Sequence, residues 1–284
     1  MSKKFDFQLF IRRQKSVDAR DAVLHFEDYA FIEDMRQRRR LAQFSAIRKA
    51  IVWFGRYWLL RERRVYLRNC REVGKRDARL HSLWLEACLH FKVERPKLYL
   101  RQKLESWMTV LGLDDEPFVV LRSDIAARSR QEILFVMGTA LAAIHNGHAT
   151  EMTILAFAEK FIFYPWQRQL SKSLFALISW NELAHITRDR GGLLLCRDQD
   201  AAIIMIALER LDWEENEIRA EISRMRENKS VDWEDKALSQ RLLALEIFMQ
   251  SKLYQSATKR SASFEDALTL SVVDERVQNV LGLA

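Results

Sequence analysis

A mainly α-helical protein with a small β component is the fold class this sequence predicts, and three observations carry it. Gly and Pro are scarce, eight and three in 284 residues, leaving few turns to punctuate a sheet-rich fold. Apolar residues recur at helical spacing over most of the chain. Only the stretch from Pro96 to Leu121 carries short β-branched or aromatic runs bounded by turn residues. Domains usually run to roughly 100–200 residues, so the length suits one large unit or two modest ones. The expected division is a basic α-helical region over 1–80 and a second unit over 81–284.

From Asp18 to Arg79 the apolar positions Ala22, Leu24, Tyr29, Ile32 and Met35, then Leu41, Phe44, Ile47, Ile51 and Phe54, predict two or three helices. From Met35 to Val73 the only Gly is Gly55, so one long or kinked basic helix is expected there. A helix over His81–Phe91 is closed by Pro96, because the residue before a proline avoids the helical region. "KLYLRQKL" and "PFVVL", set off by Gly112, Asp114, Asp115 and Pro117, predict a small hairpin or two strands. Ser123 suits the cap of a short helix, and Ser129 with Glu132 forms a capping box that opens the helix carrying "GTALAAIHNGHATE", Gly138 to Glu151. Further helices are expected over Glu151–Phe163, broken by Pro165, and over Ser171–Thr187, Ala201–Leu211, Val231–Tyr254 and Phe264–Leu281.

Charge is unevenly placed. Residues 1–80 hold 21 basic against 10 acidic side chains, whereas the remainder holds 25 against 29. Such asymmetry suits contact with an acidic protein partner, nucleic acid or an anionic membrane surface, and equally the wet face of basic helices. Arg38, Arg39, Arg40, Arg61, Arg63 and Arg64 form the candidate basic surface, with Trp53, Tyr57, Trp58 and Tyr66 interleaved. The aromatics recur at helical spacing, which favours the core over base stacking. Cys70, Cys88 and Cys196 lie far apart with no CxxC pair, against a disulfide framework or thiolate metal site and in favour of a reducing, cytoplasmic setting. The most apolar run, Ala50 to Leu60, is about half of a bilayer span and contains Arg56. The N-terminus lacks the apolar run of a secretory signal. GxxxxGK[ST], GxGxxG and GxSxG patterns are absent, removing the common nucleotide-binding and serine-hydrolase readings.

Two stretches taken together point further. "GTALAAIHNGH" (Gly138–His148), followed at a distance by "NELAHITRDRGGLLL" (Asn181–Leu195), resembles the zinc metallopeptidases of the HtpX and CAAX prenyl endopeptidase type over the region 96–211. That family reads G-H-E-L-G-H-I-x-x-G-H on the first helix and R-x-A-E-x-T-A-D-R-A-G-L-L on the later one. Two His at i and i+4 reach one tetrahedral zinc, and the adjacent Glu deprotonates the bound water. Here Thr139 and Ala143 stand at the ligand positions, Ala140 at the base and His185 at the third ligand. Gly138, Leu141, Ile144, Gly147, His148, Asp189, Arg190 and Leu193 keep the pattern.

The resemblance therefore implies a degenerate metallopeptidase-like domain without HExxH, without bound metal or other cofactor, and not an enzyme. It would act as a protein-binding scaffold or regulatory subunit. In the family a strand like "PFVVL" edges the cleft, so Phe118, Val119, Val120 and Leu121, with His148 and Asp189, are the candidate cleft residues for a peptide-like or acidic protein partner. A second copy of the chain is another partner to weigh, and nucleic acid or a membrane surface stands behind it. Asp189, which would orient the first ligand in the family, is expected to bond Thr139, a backbone N–H or Arg190. Another reading is a noncanonical metal-dependent hydrolase built from His145, His148 and His185 with Glu151 or Glu182, which requires the three imidazoles to converge. Cys88 or Cys196 beside a His would suit a thiol enzyme, but both sit in apolar helical runs that favour burial.

Overall fold

The computed structural model describes residues 24–43, 63–157, 167–228, 233, 235–258 and 267–283. Its described helices are α1 (Ile32–Gln43), α2 (Ala78–Phe91), α3 (Arg130–His145), α4 (Ala149–Ala156), α5 (Gln167–Cys196), α6 (Gln199–Arg210), α7 (Glu215–Asn228), α8 (Lys236–Met249), α9 (Lys252–Thr258) and α10 (Leu270–Leu281). Four strands, β1 (Arg71–Glu72), β2 (Lys97–Arg101), β3 (Met108–Leu113) and β4 (Glu116–Arg122), form one sheet in the order β1-β2-β4-β3. The chain is thus mainly α with a minor β component.

Both faces of this sheet are covered, which is why "PFVVL" reads as a continuous apolar run rather than an alternating one. Val119 and Leu121 enter the main core with α2 and α3, while Phe118 and Val120 pack with Tyr99, Leu111 and Phe157 on the other face. Both expected strands form, as β2 and β4, but not as a hairpin with each other: β4 makes its hairpin with β3, through a tight turn at Asp114–Asp115. β2 instead runs parallel to β4, with Lys97 opposite Phe118 and Arg101 opposite Arg122. Phe118–Leu121 therefore lie on an inner strand with both hydrogen-bonding sides taken, and cannot accept an added peptide strand as the edge reading required.

β3 is the outer strand, and α4 closes its hairpin end. The Thr153 hydroxyl accepts the Gly112 N–H at 2.9 Å and lies 2.8 Å from Gly112 O. Thr150 and Asp114 exchange bonds between hydroxyl, carboxylate and backbone N–H groups. Gly112 has φ 108°, a left-handed conformation that the tight approach of Glu116 O also reserves for glycine.

Ser129 accepts the Glu132 N–H and Glu132 accepts the Ser129 N–H, so the capping box opens α3 as its residues predict. The "HNGH" end is a stop signal of the same local kind. Gly147 takes φ 66°, and the His148 N–H reaches back to Ala143 O at 2.8 Å, closing α3 with a Schellman turn. Ser123 sits inside a 3₁₀ turn, Ser123–Ala127, whose cap is Arg122.

Several boundaries differ from expectation. Arg71–Glu72 pair antiparallel with Leu100 and Tyr99, and buried Val73 donates its N–H to Leu98 O, so no helix runs from Met35 through Val73. α5 continues past Thr187 to Cys196, and the Val231–Tyr254 stretch holds two helices broken at Gln250–Ser251. The region 44–62, with Trp53, Tyr57, Trp58 and Arg61, and the Pro165 break lie outside the described residues. Within the described part of 1–80, Tyr29 and Val73 share the main core with α3, and Phe31 packs against Ile186, Ala244 and Val277. Among the described residues no helix is long and apolar enough to cross a membrane.

Candidate functional site

The two motif helices meet through their smallest residues. A Cβ on Gly191 would stand 2.3 Å from the Ala142 Cβ, and one on Gly192 2.6 Å from Thr139 Oγ1 and 2.8 Å from Phe135 O. A Cβ on Gly138 would likewise stand 2.9 Å from Gly192 Cα. The sequence pattern G-T-x-x-A facing G-G therefore has a packing cause, a backbone-close crossing of α3 and α5.

That crossing forms part of the floor of a cleft of about 540 Å³, bounded also by β3, the segment joining β2 to β3, α4, α6 and α8. Its polar floor comprises Thr139, Asn181, His185, Arg188, Glu209 and Arg241, and its apolar wall includes Phe135, Val136, Trp107, Met152 and Met205. A neighbouring cavity of about 310 Å³ shares His185, Glu209 and Arg241 and is also lined by the exposed Glu182. Of the four motif positions, Thr139 and His185 line the cleft, whereas Ala140 and Ala143 are wholly buried in the core.

A zinc ion does not fit these residues. The Thr139 hydroxyl is turned onto its own helix, donating to Phe135 O at 2.8 Å, and the two alanines offer no donor. His185 alone offers a ligand atom. Burial first, then the charges of Arg188, Arg241 and Arg210, hold its pKa well below 6.5, so it is neutral at pH 7. Among the described residues no group of three or more His, Cys, Asp or Glu side chains could hold a metal ion.

The three histidines occupy three separate surroundings, which overturns the convergent-imidazole reading. His145 Nδ1 faces Tyr29 Oη at 3.0 Å and its ring packs on Tyr29 and Phe91. His148, buried, sets Nε2 3.3 Å from Asp34 Oδ2 and lies edge-on to Trp180 at 5.0 Å. Asp34 also accepts from Trp180 Nε1 at 2.8 Å and Thr187 Oγ1 at 2.5 Å. His148 thus belongs to a buried network linking α1 to α5 and does not line the cleft. Glu151 is buried on α4, with Arg38 Nε 3.8 Å away.

Asp189 bonds neither Thr139 nor Arg190. Both its carboxylate oxygens are held by Arg241, through Nε and Nη2, and Arg241 Nη1 donates to Glu209 Oε2 at 2.9 Å. Burial opposes the Arg241 charge, but these two carboxylates more than restore it. Arg190 pairs instead with Asp274 at 2.8 Å. Cys88 and Cys196 are buried free thiols, each pushed by burial up to about 12, which removes the thiol-enzyme reading.

The basic surface divides. Arg39, Arg40 and Arg64 are exposed, but Arg38 donates to Asn146 O and Gly147 O at the end of α3 and pairs with Asp114. Arg63 pairs with Glu116 at 2.8 Å and lies over the Phe118 ring, so neither Arg38 nor Arg63 is free for a partner. Arg188, Glu209 and Arg241 are the site residues that sequence reasoning missed. Arg188 was within reach, as a charge one position before the motif Asp. Glu209 and Arg241 come from distant helices, and nothing local marks them. Comparison of the chain with known protein families, curated proteins and solved structures finds no match.

Proposed function

We infer that this chain is a zinc-free, catalytically inactive metallopeptidase-like protein that works by binding, as a scaffold or regulatory subunit, with the cleft over Thr139 and His185 as its binding site. One observation carries this reading: Thr139 on α3 and His185 on α5, which the resemblance matches to the first and third zinc ligands, line a single cleft. Within that cleft Glu209 is engaged by Arg241, His185 is neutral, and no activated nucleophile stands beside a base. Strand addition at Phe118–Leu121 is no part of the proposal, since β4 is an inner strand. A cytoplasmic setting suits the three free cysteines.

The test is metal content and proteolysis of protein purified without chelator. Expected are less than about a tenth of a zinc per chain and no cleavage of unfolded casein. Stoichiometric zinc, or hydrolysis that a chelator abolishes, overturns the reading.

A further inference from the structure

Arg188 is 2 % exposed and its guanidinium meets only neutral acceptors. Nε donates to Ala184 O at 3.1 Å, Nη2 to Asn181 O and Oδ1 at 3.2 and 2.9 Å, and Nη1 to nothing better than the Met152 thioether at 3.5 Å. Among the described residues no carboxylate lies within ion-pair distance of it, because Asp189 and Glu209 are turned toward Arg241. A buried charge with no directly paired carboxylate is costly, and with Nε and Nη2 taken, Nη1 is the nitrogen left to donate to an incoming oxyanion.

The cleft supplies the remainder of a site. Arg188, Thr139, Asn181 and neutral His185 lie on its floor, and Arg101 and Lys103 also line it. Phe135, Val136, Met152, Leu155 and Met205 provide an apolar wall. Its volume, about 540 Å³, is that of a small-molecule pocket, typically about 300–1,000 Å³.

We propose that this cleft binds a small amphiphilic molecule, its single oxyanion, a carboxylate or a phosphate, seated on Arg188 Nη1 and its apolar body against the Phe135–Met152 wall. The proposal rests on the reading of this cleft as the binding site, but requires neither zinc loss nor peptidase ancestry. Burial first, then the neighbouring Arg241 charge, pushes the Arg188 guanidinium down to about 10, against the opposing charges of Asp189, Glu209 and Asp34. At neutral pH it remains charged and ready to pair.

The experiment titrates the full chain with octanoate, octyl phosphate and neutral octanamide, read by calorimetry and by the melting temperature. At least one anion is expected to bind roughly tenfold or more tightly than the amide, the effect of one charge-assisted hydrogen bond. Whichever head binds more tightly identifies the ligand as carboxylate or phosphate. Arg188→Met is expected to lose that preference while melting no lower than the unaltered chain, because an apolar side chain of similar volume replaces an unpaired buried charge. Met152→Glu supplies an internal carboxylate at Nη1 and is expected to melt higher and to exclude octanoate. The proposal fails if octanamide binds as tightly as both anions, if none of the three binds, or if a folded Arg188→Met keeps the preference. It fails equally if Met152→Glu melts lower and still binds octanoate. Equal binding of amide and anions would remove the oxyanion while leaving the cleft as the binding site, whereas zinc in the purified chain would remove the scaffold reading alone.

Discussion

Arg38 and Asp34 show how single side chains set the geometry around the motif helix. Arg38 reaches from α1 to the two carbonyls that end α3, so its charge caps a helix C-terminus and fixes the turn into α4. Arg38→Ala is expected to cost about 2 kcal/mol, the scale of charge-assisted hydrogen bonds on a partly exposed side chain, measured by urea unfolding. Asp34 is pushed up by burial, but His148, Thr187 and Trp180 outweigh this and hold it below its ordinary 3.8. A carboxyl depressed in the folded state contributes stability above its unfolded value and loses it as pH falls through the folded value. Stability should therefore fall more steeply below about pH 4 in the unaltered chain than in Asp34→Asn, as urea midpoints taken across that range would show. Had Asp34→Asn the same acid slope, the network would not act as described. Neither Arg38 nor Asp34 was legible as a partner of the motif. Each lies more than seventy residues from the groups it bonds, and only the fold joins them.

At the scale of elements, what could be read locally was read well. The Ser129 capping box acts within a few residues, so its chemistry is written beside it, whereas α2 ends on a left-handed Lys92, ahead of the Pro96 expected to close it. Asn146–Gly147 is a stop of the same local kind, although the reading assigned Gly147 only to the family pattern. β3 escaped because "MTVLGL" follows directly on Ser106 and Trp107 without a turn residue to set it off. α7 escaped because "ENEIRAEISRMREN" is polar except for a narrow stripe, of which Ile218 and Ile222 are buried. The extension of α5 through Gly191–Gly192 runs against helix propensity, and only the crossing with α3 explains it. That explanation has a test. Gly191→Ala and Gly192→Ala are expected to destabilise by about 1–3 kcal/mol through overpacking, whereas Gly74→Ala, with open space at its Cβ, changes little. Combining Gly191→Ala with Ala142→Gly should recover part of the loss, a coupling that a double-mutant cycle in thermal or chemical unfolding would detect.

Over the whole molecule, the chain's described ends meet on the motif helix. Asp274 on α10 accepts the Ile32 N–H at 3.2 Å and pairs with Arg190, which also donates to Tyr29 O. Asp274→Ala would leave the Arg190 cation buried and uncompensated, so a loss of about 3–5 kcal/mol is expected in equilibrium unfolding. With α1, α5 and α10 tied this way, tryptophan fluorescence and far-UV circular dichroism should report one transition; a separate early transition would argue that 1–80 unfolds by itself. The sheet carries a different consequence. One margin, β1, is two residues long and both are charged, and the other, β3, is sealed at its hairpin end by Thr150 and Thr153. Short, charged or covered margins deny a template to neighbouring chains, so this sheet is a poor seed for cross-β growth from the native state. Among the described residues the surfaces left for self-assembly are therefore helical, and association through them would be lost on helix-face substitutions rather than on changes to these strands.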